Sequence, residues 1–288
     1  MNRRTFVTGL AAGVAASGLG CIGYAIGVEP HWLQLVFRDL PIRGLPRGLD
    51  GIRLAQISDL HVGPRVSDAY LGQALARVRP LEPDIVVFTG DFITYRADRG
   101  DSQFDQLRRV LDGFPRGRLA TVGILGNHDY GRAWREPAVA KRVVAEADRA
   151  GIRILRNETL TVDGLDVVGV DDLWARQCQP SAALSTRQSE AAIALIHNPD
   201  AADRPEWSEY EGWLLAGHTH GGQCKAPFLP PPLLPVQNRR YVAGEVAVAP
   251  DRTLYISRGV GHLIRARFNV RPEITLFTLR RVVPPRVA

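Results

Sequence analysis

Five short apolar runs in this 288-residue chain each end in side chains that bind metals. Ile52 to Ile57 leads into Ser58-Asp59-Leu60-His61, Asp84 to Thr89 into Gly90-Asp91, and Leu119 to Leu125 into Gly126-Asn127-His128-Asp129. Ala191 to Ile196 ends in His197-Asn198-Pro199, and Trp213 to Ala216 in Gly217-His218-Thr219-His220-Gly221-Gly222. Any one such pair is a weak signal, because a histidine in a turn is commonly just solvated or hydrogen-bonded. Five of the seven histidines fall at these ends, however, and together the ends point to metal chemistry with oxygen and imidazole ligands. If strand geometry persists, the alternation in Asp59-Leu60-His61 and in His218-Thr219-His220 puts both polar groups of each pair on one face.

The elements that must bring these ends together follow an α/β rhythm from Trp32 onward, with β-branched runs alternating with helical periodicity. Trp32 to Asp39 and Ile52 to Ile57 predict a hairpin across a Pro/Gly-rich turn. Ser67 predicts the cap of a helix in which Tyr70, Leu71, Ala74, Leu75 and Val78 recur at helical spacing. Asp101 to Phe114 and Ala133 to Ala150 predict two more helices, and shorter strands follow around Ile152 to Leu155, Leu160 to Val162 and Leu165 to Val170. In sheets with helical crossovers the loops after the strands share one rim, so residues distant in sequence converge there.

Composition narrows the class. With 45% apolar and 23% charged residues, 28 Gly and 20 Pro, the chain is globular rather than disordered, collagen-like or coiled-coil. Cys21, Cys178 and Cys224 are an odd set without the paired spacing of a structural zinc site, which argues against thiolate chemistry; a Cys178–Cys224 disulfide stays open outside the cytoplasm. The balance of 36 basic against 30 acidic residues, +6, is diffuse, and no basic block interleaved with aromatics indicates a nucleic-acid partner.

Residues 1–28 read as an export signal or membrane anchor, and residues 29–288 as one catalytic domain. Met1 to Val28 contains no acid, and Arg3 and Arg4 precede the uncharged stretch Phe6 to Val28. Arg3-Arg4-Thr5-Phe6-Val7 resembles a twin-arginine signal, which implies an export translocase as partner. As a helix the uncharged stretch would span about 34 Å, enough for an anchor; cleavage after Ala16 or Ala25 is the other reading. Either way the rest of the chain is expected at the outer face of the cytoplasmic membrane or in the periplasm.

Asp59-x-His61, Gly90-Asp91, Gly126-Asn127-His128-Asp129, His197 and Gly217-His218-x-His220 occur in the order of the calcineurin-like metallophosphoesterases, which this sequence closely resembles from about Ile52 to Gln223. The Gly-His-Thr-His-Gly-Gly-Gln form and the export segment look like the small exported bacterial branch. The resemblance implies an α/β fold, a double β-sheet sandwich flanked by helices, with a dinuclear metal site at strand C-terminal ends. It implies Asp59, His61 and His220 as ligands of one metal, Asn127, His197 and His218 as ligands of the other, and Asp91 as a bridge. Two carboxylates against two divalent ions leave positive charge to hold a phosphoryl oxygen and acidify a bridging water. Manganese or iron is expected, with zinc an alternative.

The expected reaction is cleavage of a phosphodiester or diphosphate by a metal-bridging hydroxide. His128, unassigned to either metal, is the candidate acid that protonates the leaving oxygen or stabilises its charge, and Asp129 is expected to orient its ring. His31 and His262 belong to no ligand block and read as structural or surface residues. Gly221 and Gly222 either admit a substrate phosphate or serve a tight turn. The proline-rich stretch Lys225 to Val236 cannot be a helix or central strand; its apolar groups either fold onto the sandwich or meet an acyl chain or membrane surface, which would make the substrate lipid-linked. Phosphomonoesterase, carbonyl-ester hydrolase and a non-catalytic membrane-tethered metal-binding module are the competing readings.

Overall fold

The computed structural model describes residues 18–282; the Arg3-Arg4 string lies outside the described residues. Residues 18–27 form a helix, α1. The chain continues through β1 (Gln34–Ile42), β2 (Arg53–Ile57), α2 (Asp68–Ala76), β3 (Ile85–Thr89), α3 (Asp101–Leu111), β4 (Ala120–Ile124) and α4 (Pro137–Arg149). Then follow β5 (Arg153–Ile154), β6 (Glu158–Val162), β7 (Leu165–Gly169), α5 (Pro180–Ser185), β8 (Ala192–Leu195), β9 (Gly212–Ala216), β10 (Gly244–Ala249), β11 (Arg252–Ile256) and β12 (Glu273–Arg281). Among the described residues no helix is long and apolar enough to cross a membrane.

Two mixed sheets carry the fold, in the orders β1-β12-β2-β3-β4-β5 and β10-β11-β9-β8-β7-β6. In the first sheet β2 to β5 run parallel to one another, and in the second β7, β8, β9 and β11 do, so their C-terminal ends share an edge. Period-two alternation sorts their side chains. Leu54, Ile85, Val87, Val122 and Ile124 of the first sheet meet Val167, Ile193, Leu195 and Leu215 of the second in the sandwich core. Ala55, Val86 and Phe88 face the other way, into the apolar sides of α2, α3 and α4. On the outer face of the second sheet, Val168, Ala194 and Leu214 pack with Ala183 of α5 and with Trp207. The expected double sandwich flanked by helices is thus the observed fold.

The local signals hold at two helix starts, one of them displaced. The Tyr70 amide donates to Ser67 Oγ at 3.2 Å, capping α2. α4 begins at Pro137 rather than at Ala133, because Ala133 and Trp134 take φ of 49° and 60° and only then does proline start the first turn. The predicted β1–β2 hairpin does not form. β12 lies between the two strands, parallel to β1 and antiparallel to β2, because the segment 43–52, with its own short turn at Arg47–Leu49, is too long for a tight hairpin and holds the strands one strand-width apart.

Candidate active site

Each residue expected at the metal site sits just beyond a strand of the shared edge: Asp59 and His61 after β2, Asp91 after β3, Asn127 after β4, His197 after β8, His218 and His220 after β9. All seven are buried. The strands do not continue into the ligands. Asp59, His61, Asp91, His218 and His220 take φ of 55°, 48°, 61°, 73° and 50°. The pairs Asp59/His61 and His218/His220 therefore converge through left-handed turns, not through the strand alternation expected from sequence. A non-glycine residue in this region costs about 1 kcal/mol or more and persists where the surroundings over-determine it, typically at functional sites.

Two glycines admit the close approach. A Cβ on Gly90, itself at φ 92°, would lie 2.7 Å from both the Gly126 nitrogen and His197 Nδ1. A Cβ on Gly217 would overlap Ser58 Oγ and the Asp59 carboxylate. Gly221 and Gly222 also have positive φ, which fits the tight-turn reading for both.

The ligand atoms form two groups, Asp59–His61–His220 and Asp91–His197–His218, each with its atoms within 4.8 Å of one another. Each group draws on both sheets. Asp91 Oδ2 stands between them, 3.1 Å from His197 Nε2 and 3.5 Å from His61 Nε2. His61 Nε2 and His220 Nε2 are 2.9 Å apart, and His218 Nδ1 is 3.2 Å from His197 Nε2. Four ring nitrogens facing one another with so few protons to share are what a cation site requires. The far nitrogens set the tautomers: His197 Nδ1 donates to the Thr89 carbonyl at 2.7 Å and His218 Nε2 to the Pro235 carbonyl at 2.9 Å, so the inward nitrogen of His218 is a lone pair and that of His197 becomes one once its second proton leaves. His61 Nδ1 pairs with Thr94 Oγ1 at 3.0 Å.

Asn127 gives the independent test of fit. Both its Oδ1 and Nδ2 are buried without a hydrogen-bond partner, a cost of about 1–3 kcal/mol for each group unless a ligand satisfies it. Two carboxylates, four imidazoles and one amide, without thiolate, are a donor set for divalent manganese, iron or zinc.

Burial shapes the protonation states. Burial, reinforced by the neighbouring Asp91 charge, pushes Asp59 up to about 7. Burial alone would raise Asp91 and lower His197; facing each other, they do the opposite, Asp91 falling well below the carboxylate range and His197 rising to about 10. Burial holds His61 and His220 low and takes His218 down to about 3.

His128 lies at the edge of the site. Its ring meets the His61 ring edge-on at 5.1 Å, its backbone N–H donates to Asp91 Oδ1 at 2.9 Å, and burial lowers its pKa, so the ring is neutral at pH 7. Asp129 does not orient it, contrary to the sequence expectation. Its carboxylate accepts from the backbone amides of Asp91, Ile93 and Gly126 at 3.0, 3.2 and 2.9 Å, because the loop after β4 turns it inward toward the loop after β3. Asp129 is thereby a brace between two ligand loops. His262 is buried and bonded to the Arg65 carbonyl, and His31 packs edge-on against Tyr70. The three cysteines are free, Cys178 buried and Cys224 half-buried.

Three neighbours went unnoticed in the sequence. Trp174 stands edge-on to His218, ring centroids 4.5 Å apart, with Trp134 against its other side. Asp172, after β7, is buried; one oxygen accepts from the Ala175 amide and the other has no partner. The Leu165–Val170 run ending in Asp171-Asp172 carried the same strand-then-acid signal as the other five. Arg267 is fully buried, donating to the carbonyls of Arg258 and Gly261 behind His220; nothing in its sequence surroundings marks it.

A two-sheet α/β sandwich that gathers two such ligand groups on one edge defines a dinuclear metal-dependent phosphoesterase. The chain belongs to the calcineurin-like phosphoesterases, whose family model matches residues 52–222. It is 32% identical to the phosphodiesterase YaeI of Escherichia coli (strain K12), over 97% of this chain and 99% of that protein. It is 33% identical to the uncharacterized metallophosphoesterase YkuE of Bacillus subtilis (strain 168), over 97% and 98%. The UDP-2,3-diacylglucosamine pyrophosphatase LpxG of Chlamydia muridarum is 28% identical over 93% of this chain and 95% of its own length.

Proposed function

We propose that this chain hydrolyses phosphodiesters or diphosphates, with lipid-linked esters as its substrate class, and does so outside the cytoplasm. The observation that carries the hydrolase reading is the position of Asp91 Oδ2 between the two ligand groups, within 3.1 and 3.5 Å of a histidine of each. Asp59, His61 and His220 would hold one ion, and Asn127, His197 and His218 the other, with Asp91 shared between them. Two divalent ions supply Lewis-acid charge for a phosphoryl group and lower the pKa of coordinated water, manganese or iron being the metals we favour. The Thr89 and Pro235 carbonyls keep His197 and His218 in the tautomers that present lone pairs inward. His128, neutral at pH 7, donates its one ring N–H to the leaving oxygen rather than transferring a proton from an imidazolium.

A preference for diesters follows from where the nearby guanidinium groups are engaged. Arg258 pairs with Glu273, and Arg267 is tied to backbone carbonyls, so neither is free to clamp a monoester dianion. The names of the E. coli and C. muridarum relatives agree with a diester or diphosphate, and the latter with a lipid-linked one. Export rests on Arg3-Arg4 and the uncharged stretch after them. Cell fractionation of the wild type and of an Arg3→Lys/Arg4→Lys variant tests it: equal distribution of the two would end the twin-arginine reading.

The function test loads the purified chain with Mn²⁺ and assays bis(p-nitrophenyl) phosphate, p-nitrophenyl phosphate and p-nitrophenyl acetate side by side, with Asp91→Asn as control. The diester should turn over fastest, and the control should lose that activity. Faster turnover of the monoester overturns the diester reading. No phosphate turnover with two ions bound favours the binding module.

A further inference from the structure

We infer that the rim of the metal site docks on an anionic lipid bilayer through a two-part apolar face, made of the proline-rich loop with Ile264 on one side and α1 on the other. Within that loop Phe228 is wholly exposed and Leu229 and Leu233 expose 60% and 73% of their surface, while Ile264 exposes 59%. On α1, Leu19, Ile22 and Ile26 are exposed as well. Water is a poor environment for so many exposed large apolar tips, and a patch of them marks an interaction surface.

The two parts are fixed to one short segment, so they act together. Cys224 bridges to Phe268, and the Lys225 amide donates to the Phe268 carbonyl at 2.9 Å, tying the start of the proline-rich loop to residues 266–269. On the other side of that segment the Arg267 amide donates to the Ala25 carbonyl at 2.9 Å, and the Tyr24 and Phe268 rings meet edge-on. Just beyond α1, buried Glu29 accepts from the Asn269 and Val270 amides. Prolines 227, 230, 231, 232 and 235 stiffen the loop without giving it a helix.

Charge selects the occupant. Residues 18–28 carry no charge, and residues 221–243 and 258–272 contain no Asp or Glu, while Arg239, Arg240 and Arg265 are exposed within them. Apolar tips with a basic, acid-free collar complement an anionic bilayer interface, where each basic group near the surface adds attraction and the tips enter the acyl boundary.

The chemistry is adjacent. A cavity of about 200 Å³ has His218 and His220 in its wall and Leu233, Pro235, Leu263 and Ile264 around it. An acyl chain drawn from the bilayer would lie in this cavity with its phosphate beside the ligands. That catalytic consequence rests on the phosphoesterase reading; the docking itself does not.

The experiment places a tryptophan at the loop tip of the full chain, Leu229→Trp, and adds phosphatidylglycerol/phosphatidylethanolamine vesicles brominated in the acyl chains. The added emission should be quenched at least twofold relative to the wild type, with weaker quenching by phosphatidylcholine vesicles or at high salt. Ile264→Trp supplies a second position should Leu229→Trp misfold. If the chain floats with vesicles while neither added tryptophan is quenched, residues 6–28 alone hold it and the proposal is overturned. Dimerisation that Phe228→Asp abolishes, without quenching, gives the face to a second copy and also overturns it. In parallel, Phe228→Asp/Leu229→Asp should hydrolyse a vesicle-embedded phosphodiester about tenfold more slowly than wild type yet leave bis(p-nitrophenyl) phosphate turnover unchanged. Equal loss on both substrates counts against docking. A wild type inactive on both sinks the phosphoesterase reading, and quenching then decides the docking by itself.

Discussion

Metal binding by this chain should release protons, and the number follows from the ligand geometry. Without metal at pH 7, His197 holds its extra proton because Asp91 faces it at 3.1 Å and raises it to about 10. Asp59, at about 7, is half protonated, while Asp91 is ionised and His61, His218 and His220 are neutral. Ions require lone pairs on all of these, so loading both groups at pH 7 displaces one proton from His197 and about half of one from Asp59, roughly 1.5 from the ligands, to which ionisation of coordinated water adds. The sign is fixed: both groups must lose protons, so affinity climbs with pH. The ligand protons alone should raise the apparent association constant roughly 30-fold over one pH unit centred on 7, their share of the slope approaching two protons at lower pH and one above about pH 8. Titration calorimetry of Mn²⁺ into chelator-stripped protein, in buffers of different ionisation enthalpy, measures the count directly. A release near zero at pH 7, or affinity falling as pH rises, would show that the Asp91–His197 pair does not hold the proton and would refute the reasoning.

Three further outcomes are expected. His128→Ala should keep two ions by elemental analysis and lose roughly 10²–10⁴-fold in diester turnover; full activity removes His128 from the mechanism. Gly217→Ala should lower metal affinity at the Asp59–His61–His220 group, because its Cβ would displace the Asp59 carboxylate, and unaltered binding isotherms would contradict the packing. Burial raises Asp172 from 3.8 to about 7, so the folded metal-free chain holds that proton longer than the unfolded one and loses roughly 4 kcal/mol of stability as pH rises from about 4 to about 7. Asp172→Asn removes this term, and its melting temperature should gain on wild type progressively from pH 5 to pH 8; a constant difference would contradict the assignment.

The ligand-bearing strands were legible because their signal is local: an apolar run of about five residues, then glycine or a metal-binding polar group. That pattern located the ends of β2, β3, β4, β8 and β9. Pairing order is not local, and the β1–β2 hairpin failed because no residue in either strand reports that a strand from the far end of the chain will enter between them. Asp129 was legible as important and not as to its partner, since a carboxylate beside a histidine reads the same whether it faces that ring or three amides. The ligand turns were illegible for a similar reason. Aspartate and histidine do not announce positive φ, and only the neighbouring Gly90, Gly217 and Gly221 hinted that the backbone bends there.

The central place of β12 has a consequence for biosynthesis. It follows every other strand in the chain order, yet it supplies the interior rail of the first sheet, hydrogen-bonded on both sides. During translation β1 therefore waits without a neighbour, an exposed ribbon edge, until β12 has been made. Closure of the first sheet therefore waits for its last strand, and a product broken off before β12 would have an open seam beside Arg258 and Gly259, which Glu273 otherwise fastens.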